Sequence, residues 1–250
     1  MPYRSQAGGA NPRDGITCQQ QFARYSGEDT MTLAPTLYGK SHQPREIGRK
    51  SLGPLRGGDL CLDFINTVED HDQPGGFDSF APGYVNVIEW FTHAGAMGED
   101  QASQLLRHAA EEPREAASVR SRATALRRAL REIVSSLTSG VEPPGESMAT
   151  CNEEWRHALD SGQYVPGGDG ITWQWNEGNQ LDRVVWVVTH SAVDLFSSPR
   201  MAKVRQCAAP NCQRFFLDGS KNGSRRFCSA ATCGTAERVR RFRDRQRSAT

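Results

Sequence analysis

Four cysteines stand close together near one end of the chain: Cys207 and Cys212, then Cys228 and Cys233, as two Cys-x4-Cys pairs with fifteen residues between them. Each pair presents two thiolates from one bend of backbone, and four thiolates complete the tetrahedral shell of a zinc ion. No coordination position is left for water, so such an ion holds structure and performs no chemistry of its own. Cys18, Cys61 and Cys151 are scattered, and the total of seven is odd. A secreted disulfide framework is usually shorter and evenly stocked. Two disulfides or four separate thiols are the alternative. The expectation is one structural Zn(2+) per chain in a reducing compartment, the cytoplasm. Residues 200 to 235 have too little core to fold alone, so metal binding would supply their folding free energy. The stretch from Gln213 to Phe227 has the length and turn residues of a hairpin, with Phe215, Phe216 and Phe227 to cover the metal.

Beyond the last cysteine comes a run of arginines: Arg238, Arg240, Arg241, Arg243, Arg245 and Arg247. The formal net charge of +1 hides this asymmetry. Residues 201–250 hold 12 Lys and Arg against 3 Asp and Glu, which is 12 − 3 = +9; the rest of the chain is then +1 − 9 = −8. Arginine forks match phosphate oxygens bidentately, and each neutralised phosphate releases counterions. As a helix, the run puts Arg238, Arg241 and Arg245 on one face and Arg240, Arg243 and Arg247 on another, leaving Val239 and Phe242 to pack on the zinc module. DNA is the expected partner of this end; docking on the acidic body is the alternative.

These residues need a body to position them. Residues 1–52 are rich in Gly, Ser, Gln, Pro and charge, too poor in apolar surface to offset ordering entropy, and are expected to be a disordered extension. Met31 opens the approach to the folded part and is a candidate start of translation. Leu60, Leu62, Phe64, Ile65 and Val68 make a dense apolar run read as helix, followed by a loop over Glu69–Gly83. Tyr84, Val87, Ile88 and Phe91 have helical spacing. Val119, Ala123, Leu126, Leu130, Ile133 and Leu137 alternate steps of four and three between Pro113 and Gly140, the clearest helix of the chain. A shorter helix carries Met148, Cys151, Trp155 and Leu159. Pro166-Gly167-Gly168-Asp169-Gly170 reads as a hairpin turn leading into Ile171–Trp175. A last helix carries Leu181, Val184, Val185, Val188, Ala192 and Leu195, stopped by Pro199. The fold class is mainly α with a small β element: a helical domain over 53–199, then a four-cysteine module with a basic helix over 200–250. No stretch approaches the roughly 18 apolar residues of a membrane span.

At Cys207-x4-Cys212, Phe216, Asp218-Gly219-Ser220, Arg226-Phe227-Cys228-Ser229 and Cys233-Gly234, with the basic run after them, the chain resembles the CGNR zinc-finger family of bacterial transcription regulators. Those proteins carry a preceding domain named ABATE, whose Leu-Asp-Phe-x-Asn-Thr signature is similar to Leu62-Asp63-Phe64-Ile65-Asn66-Thr67 here, with Tyr84 and Trp90 downstream. The resemblance implies a DNA-binding regulator whose helical domain senses a small-molecule ligand. The name motif departs: the chain reads Cys233-Gly234-Thr235-Ala236, so contacts by the missing Asn and Arg side chains are lost while the zinc ligands remain. A homodimer is compatible with this reading.

Asp63 and Asn66, three apart on one helical face, either line a ligand pocket with Trp90 as its wall or hydrogen-bond loop backbone and brace the fold. Glu69-Asp70-His71-Asp72 reads as a solvated acidic loop. No nucleophile-and-base spacing, phosphate loop or paired-histidine motif is present. The alternative function is an enzyme or ligand-binding protein built on the ABATE-like domain, with a purely structural zinc finger.

Overall fold

The structure is a computed structural model describing residues 52–67, 80, 83–167, 170–176, 178 and 180–248. The extension over 1–52 with Met31 and Cys18, the Glu69–Asp72 loop and the centre of the hairpin turn at Gly168-Asp169 lie, all but Leu52, outside the described residues. The elements, in order, are α1 Leu60–Ile65, α2 Tyr84–His93, α3 Glu99–Glu111, α4 Pro113–Ser139, α5 Gly145–Asp160, β1 Gly162–Gly167, β2 Gly170–Trp175, α6 Arg183–Phe196, a 3-10 turn Pro199–Lys203, β3 Val204–Gln206, β4 Phe215–Leu217, a widened turn Ala230–Gly234 and α7 Thr235–Arg247. Among the described residues no helix is long and apolar enough to cross a membrane.

α6 is the axis of the body. Val184, Val185, Trp186, Val187, Val188, Thr189, Ala192 and Leu195 are all buried, a helix apolar on nearly every side and therefore packed on nearly every side. α1 is short but wholly buried; it packs against α4, α6 and β4. α4 starts with Pro113 in its first turn, where the missing amide costs nothing, and ends at Gly140 with φ +70°, the left-handed position glycine tolerates best. Its stripe is buried from Val119 to Ile133, but Leu137 is 40% exposed, so the last turn runs past its neighbours. α3 has no counterpart among the sequence expectations. Only Ala102 and Leu105 of its thirteen residues are buried, too sparse a stripe to stand out.

α5 turns a different face inward from the one its largest apolar residues suggest. Met148 and Leu159 are exposed, while Ser147, Cys151, Glu154 and Ala158 are buried. Arg122 of α4 decides this rotation: its Nε and Nη2 donate to the two carboxylate oxygens of Glu154 at 2.9 and 2.6 Å, and its Nη1 reaches Asp182 ahead of α6. A buried carboxylate with a bidentate guanidinium outweighs the gain from turning Met148 and Leu159 inward. β1 and β2 pair antiparallel, Gly162 opposite Trp175 through Gly167 opposite Gly170. They close over α5 and α6 with an aromatic cluster in which His190 meets Trp155, Trp173 and Trp175 at ring-centre distances of 5.9, 6.0 and 5.9 Å.

β3 and β4 form a second antiparallel pair, Val204 opposite Leu217 and Gln206 opposite Phe215. Strand alternation sends successive side chains to opposite faces. Phe215 accordingly enters the main core beside α1 and Arg131 of α4, whereas Phe216 enters the cluster of Cys207 and Cys228. Two sequence expectations are corrected here. β4 pairs with the strand before Cys207 instead of folding into a hairpin within Gln213–Phe227, and Phe215 does not cover the four cysteines. Phe216 and Phe227 do.

Candidate metal centre and basic helix

β3 delivers Cys207, and the turn after it brings Cys212 back, with the Cys212 amide donating to the Ala209 carbonyl at 3.0 Å. Cys228 follows a loop tied by one carboxylate. Asp218 accepts from the Ser220 hydroxyl at 2.6 Å, from the Ser220 amide at 2.9 Å and from the Arg225 amide at 3.0 Å. Those donors, the Ser220 hydroxyl foremost, hold the Asp218 carboxyl below its ordinary range. Arg225 lies over the Phe216 ring at 4.5 Å and donates to the carbonyls of Phe227 and Cys228. Cys233 sits in the widened turn that runs directly into α7.

All four sulfur atoms lie within 4.8 Å of one another. Cys212 and Cys228 are 3.7 Å apart and Cys228 and Cys233 3.6 Å, much too far for a disulfide. A tetrahedron with metal–sulfur bonds of about 2.3 Å has edges of about 3.8 Å, so the spacing suits one ion held by four thiolates. Hydrogen bonding from Cys212, and then from Cys233 and Cys207, favours the thiolate at Cys228 and lowers it to about 5. The four candidate ligands are thus brought together as their spacing implies.

The cysteine module is bolted to the body by the residues of the Leu62–Thr67 signature. The Asn66 amide nitrogen donates to the Phe215 carbonyl at 2.8 Å, and its oxygen accepts from the Phe215 amide at 2.9 Å. One side chain thereby continues the edge of β4 as a third strand would. Asp63 accepts from the amides of Arg56 and Gly57 at 2.7 and 2.6 Å. The segment it holds then reaches the module twice: the Gly57 carbonyl accepts from the Leu217 amide at 2.7 Å, and Arg56 donates to the Thr232 hydroxyl at 2.8 Å. A Cβ on Gly57 would lie 2.6 Å from the Asp63 amide nitrogen, so only glycine fits there.

Asp63, Asn66 and Trp90 do border one cleft, together with Leu52–Arg56, Thr67 and Arg214, but it encloses only about 40 Å³. Pockets for drug-sized ligands run to roughly 300 Å³ or more. Trp90 is 2% exposed and packs edge-on against Phe91 and Phe64, at 5.1 and 5.7 Å. In this conformation Asp63 and Asn66 hydrogen-bond the backbone of neighbouring segments, and Trp90 packs within the core.

α7 leaves the module from its first turn. Glu237 is its only buried residue. The Glu237 carboxylate accepts from Arg240 Nε at 2.8 Å and Nη2 at 2.9 Å and from Arg241 Nε at 2.8 Å, and these guanidinium groups hold it at about 2. Val239 and Phe242, expected to pack on the module, are instead 43% and 55% exposed. The pinning of Arg240 and Arg241 was not among the sequence expectations, although an acid three and four residues before two arginines is a readable signal. Arg238, Arg243, Arg245 and Arg247 have no acidic partner within salt-bridge distance among the described residues.

Comparison with protein families gives two matches. A model described as "Putative stress-induced transcription regulator", ABATE, covers residues 58–199, and one described as "CGNR zinc finger" covers residues 203–246. No curated protein matches the chain.

Proposed function

Because the chain belongs to the ABATE family and ends in a CGNR zinc finger, we propose that it is a transcription regulator that binds duplex DNA through α7. The observation that carries this reading is the set of arginines without an acidic partner among the described residues, on a helix rooted in a four-cysteine cluster. Cys207, Cys212, Cys228 and Cys233 would hold one zinc ion per chain, and that ion would fix the direction in which α7 leaves the body. Arg238, Arg243, Arg245 and Arg247 meet phosphate oxygens; Arg240 and Arg241 join them only by giving up Glu237. Loss of the motif Asn and Arg at Thr235-Ala236 removes two candidate contacts and leaves phosphate binding as the larger share of affinity.

Regulation by a small molecule enters at the cleft between Leu52–Arg56 and Trp90. Any ligand that widens it disturbs Asp63 and Asn66, the same side chains that fasten β4. The test is a gel shift on the DNA upstream of the protein's own gene, run beside a metabolite thermal-shift screen. DNA binding at physiological salt, lost on chelation and altered by a metabolite that stabilises the body, is the expected result. Turnover of a metabolite without DNA binding would favour an enzyme and overturn this reading.

A further inference from the structure

The two sides of α7 differ in kind. At about 100° per residue, taking Arg238 as zero, Phe242 lies near 40° and Val239 near 100°. On one flank of this apolar stripe stand Arg238 itself and Arg245, near 340°; on the other stand Arg243 and Arg247, near 140° and 180°. The opposite side, from about 200° to 300°, holds Arg240, Asp244, Glu237 and Arg241. That back face is two acids against two arginines, neutral, with Glu237 gripping both arginines. The front face has four positive charges, no acid, and two large apolar side chains in solvent, with the polar Thr235 and Gln246, near 60° and 80°, between them.

Resting on the DNA-binding reading above, we propose that Val239 and Phe242 are the apolar base contacts of this helix. They lie against thymine methyl groups in the major groove while the flanking arginines hold phosphates on either side. The groove is wide enough for an α-helix, and the thymine methyl is the apolar group that base edges display there. An aromatic ring and a valine cannot hydrogen-bond a base, so thymine is the edge they suit. A second copy of the chain is a poor occupant of the same face. Two apolar side chains bury far less than the area a stable dimer needs, and four like charges would face four others. The same four charges attract a polyanion.

The experiment uses the full-length, zinc-loaded chain and duplexes that it enriches from a random pool, each prepared with thymine and again with deoxyuridine. The parent should bind the thymine duplex more tightly, by about fourfold for each methyl buried. Phe242→Ala and Val239→Ala should each lose part of that preference while keeping the dependence of affinity on salt. Arg245→Ala should keep the preference and lower the salt slope by about one unit. Both apolar residues are exposed, so the variants should fold as the parent does. Equal binding of the two duplexes by the parent, or an undiminished preference in both alanine variants, overturns the proposal while leaving DNA binding intact. A parent that enriches no duplex overturns the DNA-binding reading and this inference with it. Dimeric sedimentation of the free parent that Phe242→Ala abolishes would assign the stripe to self-association and overturn the proposal.

Discussion

Replacing Asn66 by alanine strips both hydrogen bonds from the backbone of Phe215 without touching a cysteine. Asn66 is 8% exposed and Phe215 1%, so little water can replace the lost partners. Each buried backbone group left unsatisfied costs about 1–3 kcal/mol. Two of them, eased by the small opening at Asn66, should cost about 2–4 kcal/mol. For a chain of this size that lowers the melting temperature by about 4–16 °C. Urea denaturation at fixed, saturating zinc is the assay, with the slope unchanged and the midpoint lowered. Asn66→Asp adds a sign. Its carboxylate would face the Phe215 carbonyl, so its folded pKa must rise above the usual value near 3.9. A group with a raised folded pKa stabilises the fold below its unfolded pKa and loses that contribution as pH rises through the folded value. Relative to Asn66→Ala, the aspartate variant should therefore do better at pH 4 than at pH 7. An alanine variant within about 0.5 kcal/mol of the parent, the range of an inert surface change, would refute the bracing role.

Gly57→Ala forces a methyl against the Asp63 amide and the Leu62 Cβ at 2.6 and 2.8 Å, and should cost about 1–3 kcal/mol in the same urea assay. Glu237→Gln frees Arg240 and Arg241, so the salt slope of DNA binding should steepen by up to about two units; an unchanged slope would mean both are engaged already. Because those arginines hold the Glu237 carboxyl at about 2, below its ordinary 4.5, its contribution is present above pH 4.5 and lost as pH falls toward 2. Circular dichroism of parent and Glu237→Gln should differ at pH 6 and converge near pH 2. Burial pushes the Cys61 thiol up and the Cys151 thiol to about 11, so neither should react with iodoacetamide at pH 8 in the folded chain. Mass mapping that finds Cys61 alkylated before any of the four clustered cysteines would contradict the packing.

The parts legible from sequence were those where one physical signal acts alone. The stripe of α4 needed only apolar spacing between Pro113 and Gly140, and the four cysteines only their spacing. The parts that misled were those where a polar partner distant in sequence takes over. Glu154 turns inward because Arg122, thirty-two residues earlier, meets it, and no local period carries that information. Phe215 and Phe216 are equivalent as composition, yet alternation on β4 sends one to each core. Asn66 stood between two roles, and its partner lies 149 residues away. Val239 and Phe242 suited a packed helix by spacing, yet both stand in solvent on α7.

The central claim, that a zinc-rooted arginine helix grips DNA, is met most directly by the salt dependence of duplex binding by the full-length, zinc-loaded chain. The four arginines on the front of α7, without an acidic partner among the described residues, predict a slope of about −3.6 in log affinity against log salt. The same titration after chelation should show weaker binding. A slope near zero, or an affinity and slope indifferent to zinc, would contradict it.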